Sequence, residues 1–216
     1  ELIHEGQLMT TLEFHHNIIN LLGVSMDFQE HEHRILLILD FCSKGSLDKI
    51  LESKKEEIQQ NQGLAETEDF NMKLAVTWSY QIATGIEFLA NHKIIHGDLA
   101  ARNILVDKNN NVKIADFGNS HRLDYDYIGS VVHGRQPVWW MAPEAIKNQM
   151  VTIESDKWSY GVILWEVYSL GEKPYSDRNI LTTFIEDLDD GYRMANPERC
   201  PTEIYLQIML TCWDAD

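Results

Sequence analysis

Three short strings, in a fixed order, restrict this chain more than any bulk property. His96-Gly97-Asp98-Leu99-Ala100-Ala101-Arg102-Asn103 comes first, Ala115-Asp116-Phe117-Gly118 second, and Trp140-Met141-Ala142-Pro143-Glu144 third. A lone Asp-Phe-Gly arises by chance in many proteins, whereas three such strings in register do not. Their surroundings tell what kind of backbone carries them. Lys73 to Asn91 puts Leu74, Trp78, Ile82, Ile86 and Leu89 on one helical stripe. Ile104 to Val106 and Val112 to Ala115 are short β-like pieces joined by the Asn109-Asn110-Asn111 turn. Gly118 to Trp140 is irregular, and Trp158 to Tyr168 is very apolar and reads as helix. Two carboxylates, Asp98 and Asp116, and one amide, Asn103, are thus predicted beside short strands, with a helix before and a helix after.

Upstream, Leu2, Ile3, Leu8, Met9 and Leu12 fall near helical spacing over residues 2–13. Apolar runs around Leu21 to Phe28 and Ile35 to Phe41 read as strands, and Ser43-Lys44-Gly45-Ser46 is a turn leading into a short helix at Leu47 to Leu51. From Glu52 to about Met72 the chain is charged and rich in Gln and Asn. Such a composition buries too little apolar area to offset ordering, so a mobile insert is predicted at 52–72. Two β-like runs before a mostly helical remainder predict an α+β fold, a small mixed lobe joined to a large α-rich one.

The 216 residues are 44% hydrophobic and include six Trp, ample for a packed core. The formal net charge of −16 argues against nucleic acid and against anionic membrane as direct partners. Three cysteines, Cys42, Cys200 and Cys212, share no metal-ligand spacing and fit reduced thiols in a cytosolic compartment. The nine His form no ligand-spaced cluster either, and His15-His16 and His31/His33 read as solvated turn residues. The longest apolar run, Ile35 to Leu39, can fill one strand but cannot cross a bilayer. Because the chain starts at Glu1 without a Met, a fragment is expected, and missing targeting signals say nothing about the parent protein.

The strings resemble the catalytic loop, the metal-binding turn and the end of the activation segment of a protein kinase. In detail the chain resembles tyrosine kinases of the receptor group, those of the fibroblast, platelet-derived and stem-cell growth-factor receptors. Asn17-Ile18-Ile19-Asn20-Leu21-Leu22-Gly23 resembles the loop and strand after helix C, and Ser43 to Leu47 the segment after the hinge. Ala100-Ala101-Arg102 is the tyrosine-kinase form of the catalytic loop, where serine/threonine kinases usually carry Lys two residues after the Asp. Pro137 resembles the floor on which the flat phenol ring rests. Ser155-Asp156, Trp158 to Gly161, Leu170-Gly171 and Pro174-Tyr175 resemble the helix F region, and Cys212-Trp213 a further landmark.

The resemblance implies a two-lobed kinase fold with residues 1–39 as a partial small lobe, 40–46 as hinge and 47–216 as the large lobe. It implies ATP and Mg²⁺ as cofactors and tyrosine-bearing proteins as substrates, with a second kinase domain in a receptor dimer as a further partner. The implied location is the cytoplasmic side of a membrane, without membrane contact by this segment. Asp98 falls at the base beside the acceptor hydroxyl, with Arg102 and Asn103 completing the catalytic set. Asn103 and Asp116 supply the hard oxygen ligands that Mg²⁺ prefers. Glu5 falls where helix C pairs with the ATP-positioning Lys, although a solvated helical Glu is the rival reading. Leu39 falls at the gatekeeper, Asp40, Phe41 and Cys42 at the hinge whose backbone would hold adenine, and Leu105 under its ring; Leu39 and Leu105 are also ordinary core residues. Met9, Leu21, His96 and Phe117 match a stack linking the lobes. Asp156 matches the buried Asp that holds the catalytic loop, Glu144 a partner of an Arg beyond Asp216, and Tyr125 and Tyr127 regulatory tyrosines.

Departures accompany the likeness. The Gly-rich loop and the ATP-positioning Lys are expected to lie upstream of Glu1, so the segment alone is expected to be inactive. Gly97 stands where an Arg normally precedes the catalytic Asp, Asn119 where Leu usually follows the turn glycine, and Trp139 where Lys usually precedes Trp140. Retention of Asp98, Asn103 and Asp116 favours an enzyme; Gly97 and Asn119 favour the alternative, a pseudokinase acting as a signalling scaffold.

Overall fold

The computed structural model describes residues 2–29, 32–60, 71–123, 130–131, 137–178 and 181–214. The first helix, α1 (Leu2–Thr11), packs on an antiparallel pair, β1 (Leu21–Gln29) and β2 (Glu32–Leu39), with a register shift between Leu21 and Gly23. Val24, Met26, Ile35 and Leu37 turn toward α1, the period-2 consequence of an alternating strand. This is the small lobe.

The large lobe opens with β3 (Gly45–Ser46) and α2 (Leu47–Gln60). The long helix α3 (Met72–Asn91) is started by Asn71, whose side chain accepts the Leu74 N–H at 3.0 Å, and it buries Ala75, Trp78, Ile82, Gly85 and Leu89. Strands β4 (Ile94–Ile95), β5 (Ile104–Val106), β6 (Val112–Ile114) and β7 (His121–Arg122) follow. They pair as β3-β5-β6 and β4-β7, which sets the loop between β4 and β5 next to the loop between β6 and β7. Then come β8 (Ser130–Val131), α4 (Pro143–Asn148) and β9 (Met150–Val151), with β8 and β9 paired. Helix α5 (Ile153–Tyr168) is buried on nearly every side, so its apolar residues run all round rather than along a stripe. A reciprocal box between Thr152 and Ser155 fixes its start. Helix α6 (Leu181–Asp189) and a helical run of α7 (Thr202–Ile204), a π turn (Tyr205–Met209) and α8 (Leu210–Cys212) close the lobe, burying Trp213.

The lobes are stitched through Asn17. Its side chain donates to Val112 O at 2.9 Å and accepts from Thr84 Oγ1 at 2.9 Å, while Ile19 N and Ile114 N bond across at 2.9 and 2.8 Å. Gly85 permits this approach: a Cβ there would lie 2.8 Å from Ile114 Cδ1 and 3.0 Å from Asn17 O.

Three expectations are corrected. Helix α2 does not end at Leu51 but runs to Gln60, so residues 52–60 of the predicted insert are helical; residues 61–70 lie outside the described ones. Lys, Glu and Gln are good helix formers, and Lys49–Glu52 and Lys54–Glu57 pair along the helix at 2.8 Å, while Lys55 reaches Glu172 at 3.0 Å. His15 is no solvated turn residue: its ring stacks on Phe88 of α3 at 4.7 Å, and its Nδ1 accepts the Asn17 N–H. Burial first, then the nearby His16, Lys113 and His92, hold its pKa below the usual histidine value. His33 lies in β2 rather than a turn, and His31 lies outside the described residues.

Candidate active site

The loop between β4 and β5 is anchored on buried carboxylates of α5. Asp156 accepts the His96 N–H at 2.7 Å and the Gly97 N–H at 3.0 Å. Glu166, nearly three turns on, accepts the Ala101 N–H at 3.0 Å and the Trp140 indole N–H at 2.9 Å. Both carboxylates are about 95% buried. Burial pushes Asp156 up to about 7 against the pull of the His96 and Gly97 amides. It pushes Glu166 up to about 7 against Trp140, Ala101 and the Arg102 charge.

Gly97 sits at φ +75°, and a Cβ there would meet Asn119 O at 3.0 Å, so the position favours the one residue that lacks it. His96 is fully buried. Its Nε2–H donates to Ala115 O at 3.1 Å and its Nδ1 accepts the Asp98 N–H at 3.3 Å, which fixes the neutral tautomer; burial lowers its pKa in the same sense.

Asp98 is thereby presented with its carboxylate between two donors. Arg102 pairs with Oδ1, and the Asn103 amide donates to Oδ2 at 3.1 Å and to the Asp98 carbonyl at 2.7 Å. The Arg102 guanidinium lies over the Trp140 ring at 4.8 Å. Because Asn103 spends its NH₂ on Asp98, its carbonyl oxygen is left for another ligand. Asp116 is exposed on left-handed backbone, φ +65°, with Oδ1 near the Gly118 N–H at 3.4 Å. One amide and one carboxylate oxygen suit a hard cation such as Mg²⁺. Among the described residues no group of three or more His, Cys, Asp or Glu is gathered as for a transition metal.

Phe117 packs against His96 with ring centroids 5.2 Å apart, both fully buried, and Met9 and Leu21 belong to the same core. The Phe117 N–H donates to Glu5 Oε1 at 3.3 Å, and His4 donates to Ser120 O at 2.8 Å, so α1 rests on the segment after β6. Between β2 and β3, Leu39 ends β2, Phe41 is almost fully exposed and Cys42 is buried; Leu105 is half-buried in β5. The Asp40 side chain meets Asn20 and, at 3.1 Å, Lys113. Burial alone would raise the Asp40 pKa, but those two partners outweigh it and hold it below the usual value. The Asp40 N–H bonds to Asn20 O, so the backbone group there left for a ligand is the carbonyl. Glu144 is exposed on the lip of a cleft of about 710 Å³ between α4, α5 and the last helical run. Tyr125 and Tyr127 lie outside the described residues.

Glu166, Asn20 and Lys113 escaped the reading from sequence. A lone carboxylate inside the apolar run Trp158 to Tyr168 was the signal for Glu166, because a charge in a buried helix needs a partner. The Asp40–Lys113 pair joins residues 73 apart in the chain and left no local mark.

Glu166→Gln gives a test of this electrostatics. Glutamine keeps an oxygen acceptor for Ala101 and Trp140 but does not titrate. A folded pKa of about 7 against 4.5 unfolded means the protonated form is favoured in the fold. The associated stability is fully present below pH 4.5 and is lost as pH rises through about 7. Relative to Glu166→Gln, the wild type is expected to lose roughly 2.5 kcal/mol between pH 5 and pH 8. Urea unfolding at the two pH values measures it, and parallel pH profiles would refute it.

Comparison with known proteins agrees with this geometry. The profile of the family described as protein tyrosine and serine/threonine kinase matches residues 1–216. Fibroblast growth factor receptor 1 of Xenopus laevis is 38% identical over an alignment that takes in the whole chain and 26% of the receptor. The chain thus spans about a quarter of the length of that curated relative. By its matched span and by the loops built around Asp98 and Asp116, the chain belongs to the protein tyrosine and serine/threonine kinase family.

Proposed function

We propose that the chain is the catalytic segment of a protein-tyrosine kinase, which transfers the terminal phosphoryl group of ATP to a tyrosine hydroxyl. The observation that carries this reading is Asp98, a carboxylate held by Arg102 and Asn103 on a loop pinned from beneath by Asp156. Phosphoryl transfer asks for positioning and charge neutralisation more than for covalent help from the protein. The tyrosine oxygen forms a bond to the γ-phosphorus as the bond to the β–γ bridging oxygen breaks. The phenol proton passes to Asp98, and ADP leaves.

Arg102 and the Trp140 ring beneath it keep the Asp98 carboxylate in one orientation. Asn103 and Asp116 would hold Mg²⁺, which when bound neutralises phosphate charge. The Asp40 carbonyl and the Cys42 amide would hold adenine between Leu39 and Leu105. Glu5, steadied by the Phe117 N–H, is the partner we assign to a lysine that positions the phosphates. By likeness to a growth factor receptor, we assign the segment to the cytoplasmic side of a receptor, acting on protein substrates and meeting a second kinase domain in a dimer.

The test is the full-length protein with Mg²⁺, ATP and peptides differing only in carrying one Tyr, Ser or Thr. Phosphate on tyrosine alone is expected. Equal transfer to serine, or no transfer to any peptide, would overturn the proposal.

A further inference from the structure

Two successive residues of α1 reach the segment after β6. Glu5 accepts the Phe117 N–H at 3.3 Å, and His4 Nε2–H donates to Ser120 O at 2.8 Å. Neighbouring helical residues stand about 100° apart around the axis, so the two contacts together fix how α1 is turned as well as where it rests. Ser120 is fully buried, and all of its polar groups are engaged. Its N–H donates to Phe117 O at 3.0 Å, its carbonyl takes the His4 bond, and its Oγ–H donates to His96 O at 3.1 Å. His96 in turn accepts the Asp98 N–H on Nδ1 at 3.3 Å. The register of β4 on β7, Ile94 to Arg122 and Ile95 to His121, brings the next residues, His96 and Ser120, opposite each other. One hydrogen-bonded line therefore runs from an exposed histidine of the small lobe to the loop that carries Asp98.

We infer that His4 and Ser120 are positioning residues for phosphoryl transfer, the Ser120 hydroxyl carrying the placement of α1 across to the loop that presents Asp98. This rests on the kinase reading above, with Asp98 as the base. Asp156 holds His96 by its N–H, and Ser120 holds the same residue by its carbonyl, so the residue two before Asp98 is clamped at both backbone groups. A hydroxyl in a packed core costs desolvation, and its hydrogen bond to His96 O is what offsets that cost. Both side-chain and main-chain bonds of Ser120 depend on one placement of its backbone. Releasing His4 lets that backbone drift, and the hydroxyl leaves His96 O with it. The contact of the Phe117 and His96 rings runs beside this line but supplies no directional bond, so it sets separation more than angle. The hydroxyl is bonded to the loop and not to α1, so nucleotide held through Glu5 is indifferent to it.

The experiment measures kcat at saturating Mg²⁺-ATP and tyrosine peptide, and nucleotide affinity by calorimetry, in the full-length protein. Ser120→Ala keeps the carbonyl that meets His4 and removes only the hydroxyl. Its kcat is expected to fall about tenfold while nucleotide affinity stays within about twofold of wild type. His4→Ala should lower kcat about fivefold, and His4→Gln, whose amide N–H reaches about as far as Nε2, should bring it back to within about twofold. The double variant decides the matter. Ser120→Ala with His4→Ala should match Ser120→Ala alone within about twofold, because His4 acts on the loop only through the hydroxyl. A double variant about fiftyfold slower than wild type would mean two independent contacts and overturn the inference. Wild-type kcat in Ser120→Ala would overturn it too. Should the alanine variant unfold, Ser120→Cys, similar in size but a weak donor, takes its place in the same cycle. Each of these outcomes leaves the kinase reading intact, since the wild type transfers phosphate to tyrosine. A wild type that phosphorylates no tyrosine peptide would overturn both.

Discussion

Asp98→Asn in the full-length protein is expected to cut tyrosine phosphorylation about a thousandfold while Mg²⁺-nucleotide affinity stays within about threefold of wild type. Asparagine is nearly the same shape but cannot accept the phenol proton at neutral pH. It also turns an NH₂ toward the Arg102 guanidinium, which a carboxylate had matched with opposite charge. A thousandfold is about 4 kcal/mol of barrier, within reach of a proton acceptor and its orientation together. Asp116→Asn should behave differently. It removes one of two hard oxygen donors, so Mg²⁺-nucleotide affinity falls about tenfold or more along with the rate. Initial rates on a tyrosine peptide and calorimetric nucleotide titrations separate the two. If Asp98→Asn kept a tenth of wild-type kcat, Asp98 would not be the base. If Asp116→Asn bound Mg²⁺-nucleotide normally, Asp116 would not be a metal ligand.

How much of this could be read without coordinates depended on whether the physics was local. Helices α3 and α5 announced themselves because amphipathic or apolar periodicity is a property of neighbouring residues. The β5 and β6 pieces and their Asn-rich turn were visible for the same reason. Helix α2 was misjudged beyond Leu51 because charged composition was weighed as disorder, whereas Lys and Glu three residues apart also favour helix. His15 was misjudged because its partner, Phe88, lies 73 residues away and only the approach of α3 to the small lobe brings them together.

The candidate site divides along the same line. Asp98, Asn103 and Asp116 stand inside strings whose residue types are dictated by the chemistry they would perform. The supports do not. Glu166 ties Trp140 to Ala101, and Asp40 ties Lys113 to Asn20, through contacts that no spacing encodes. Gly97 was read from sequence as a loss, a missing arginine. The structure adds that its backbone is left-handed and close-packed against Asn119, a place where glycine is unstrained.

Asp156→Ala is the substitution expected to damage the fold most among those around the site. Asp156 lies in the first turn of α5, and its two oxygens each take one backbone N–H from the loop that carries Asp98. Alanine leaves the His96 and Gly97 amides buried without acceptors, at about 1–3 kcal/mol for each. A loss of about 3–4 kcal/mol is a large share of the roughly 5–15 kcal/mol that holds a domain together. Asp156→Asn retains one oxygen acceptor and should cost about half as much. The pH dependence gives an independent check on the sign. Burial holds the folded pKa at about 7, above the 3.8 of the exposed group, so the stability linked to the bound proton is present below 3.8 and is lost as pH rises through 7. The gap between wild type and Asp156→Ala should therefore narrow from pH 5 to pH 8. Catalysis should suffer more than stability alone explains. At a temperature where the variant is still folded, a loop freed from both Asp156 hydrogen bonds can shift Asp98 by about 1 Å, and such a displacement costs about a hundredfold in rate. Urea unfolding at both pH values, with initial rates measured below the unfolding transition, tests each part. A variant as stable as wild type, or one folded and fully active, would mean that Asp156 does not hold the loop.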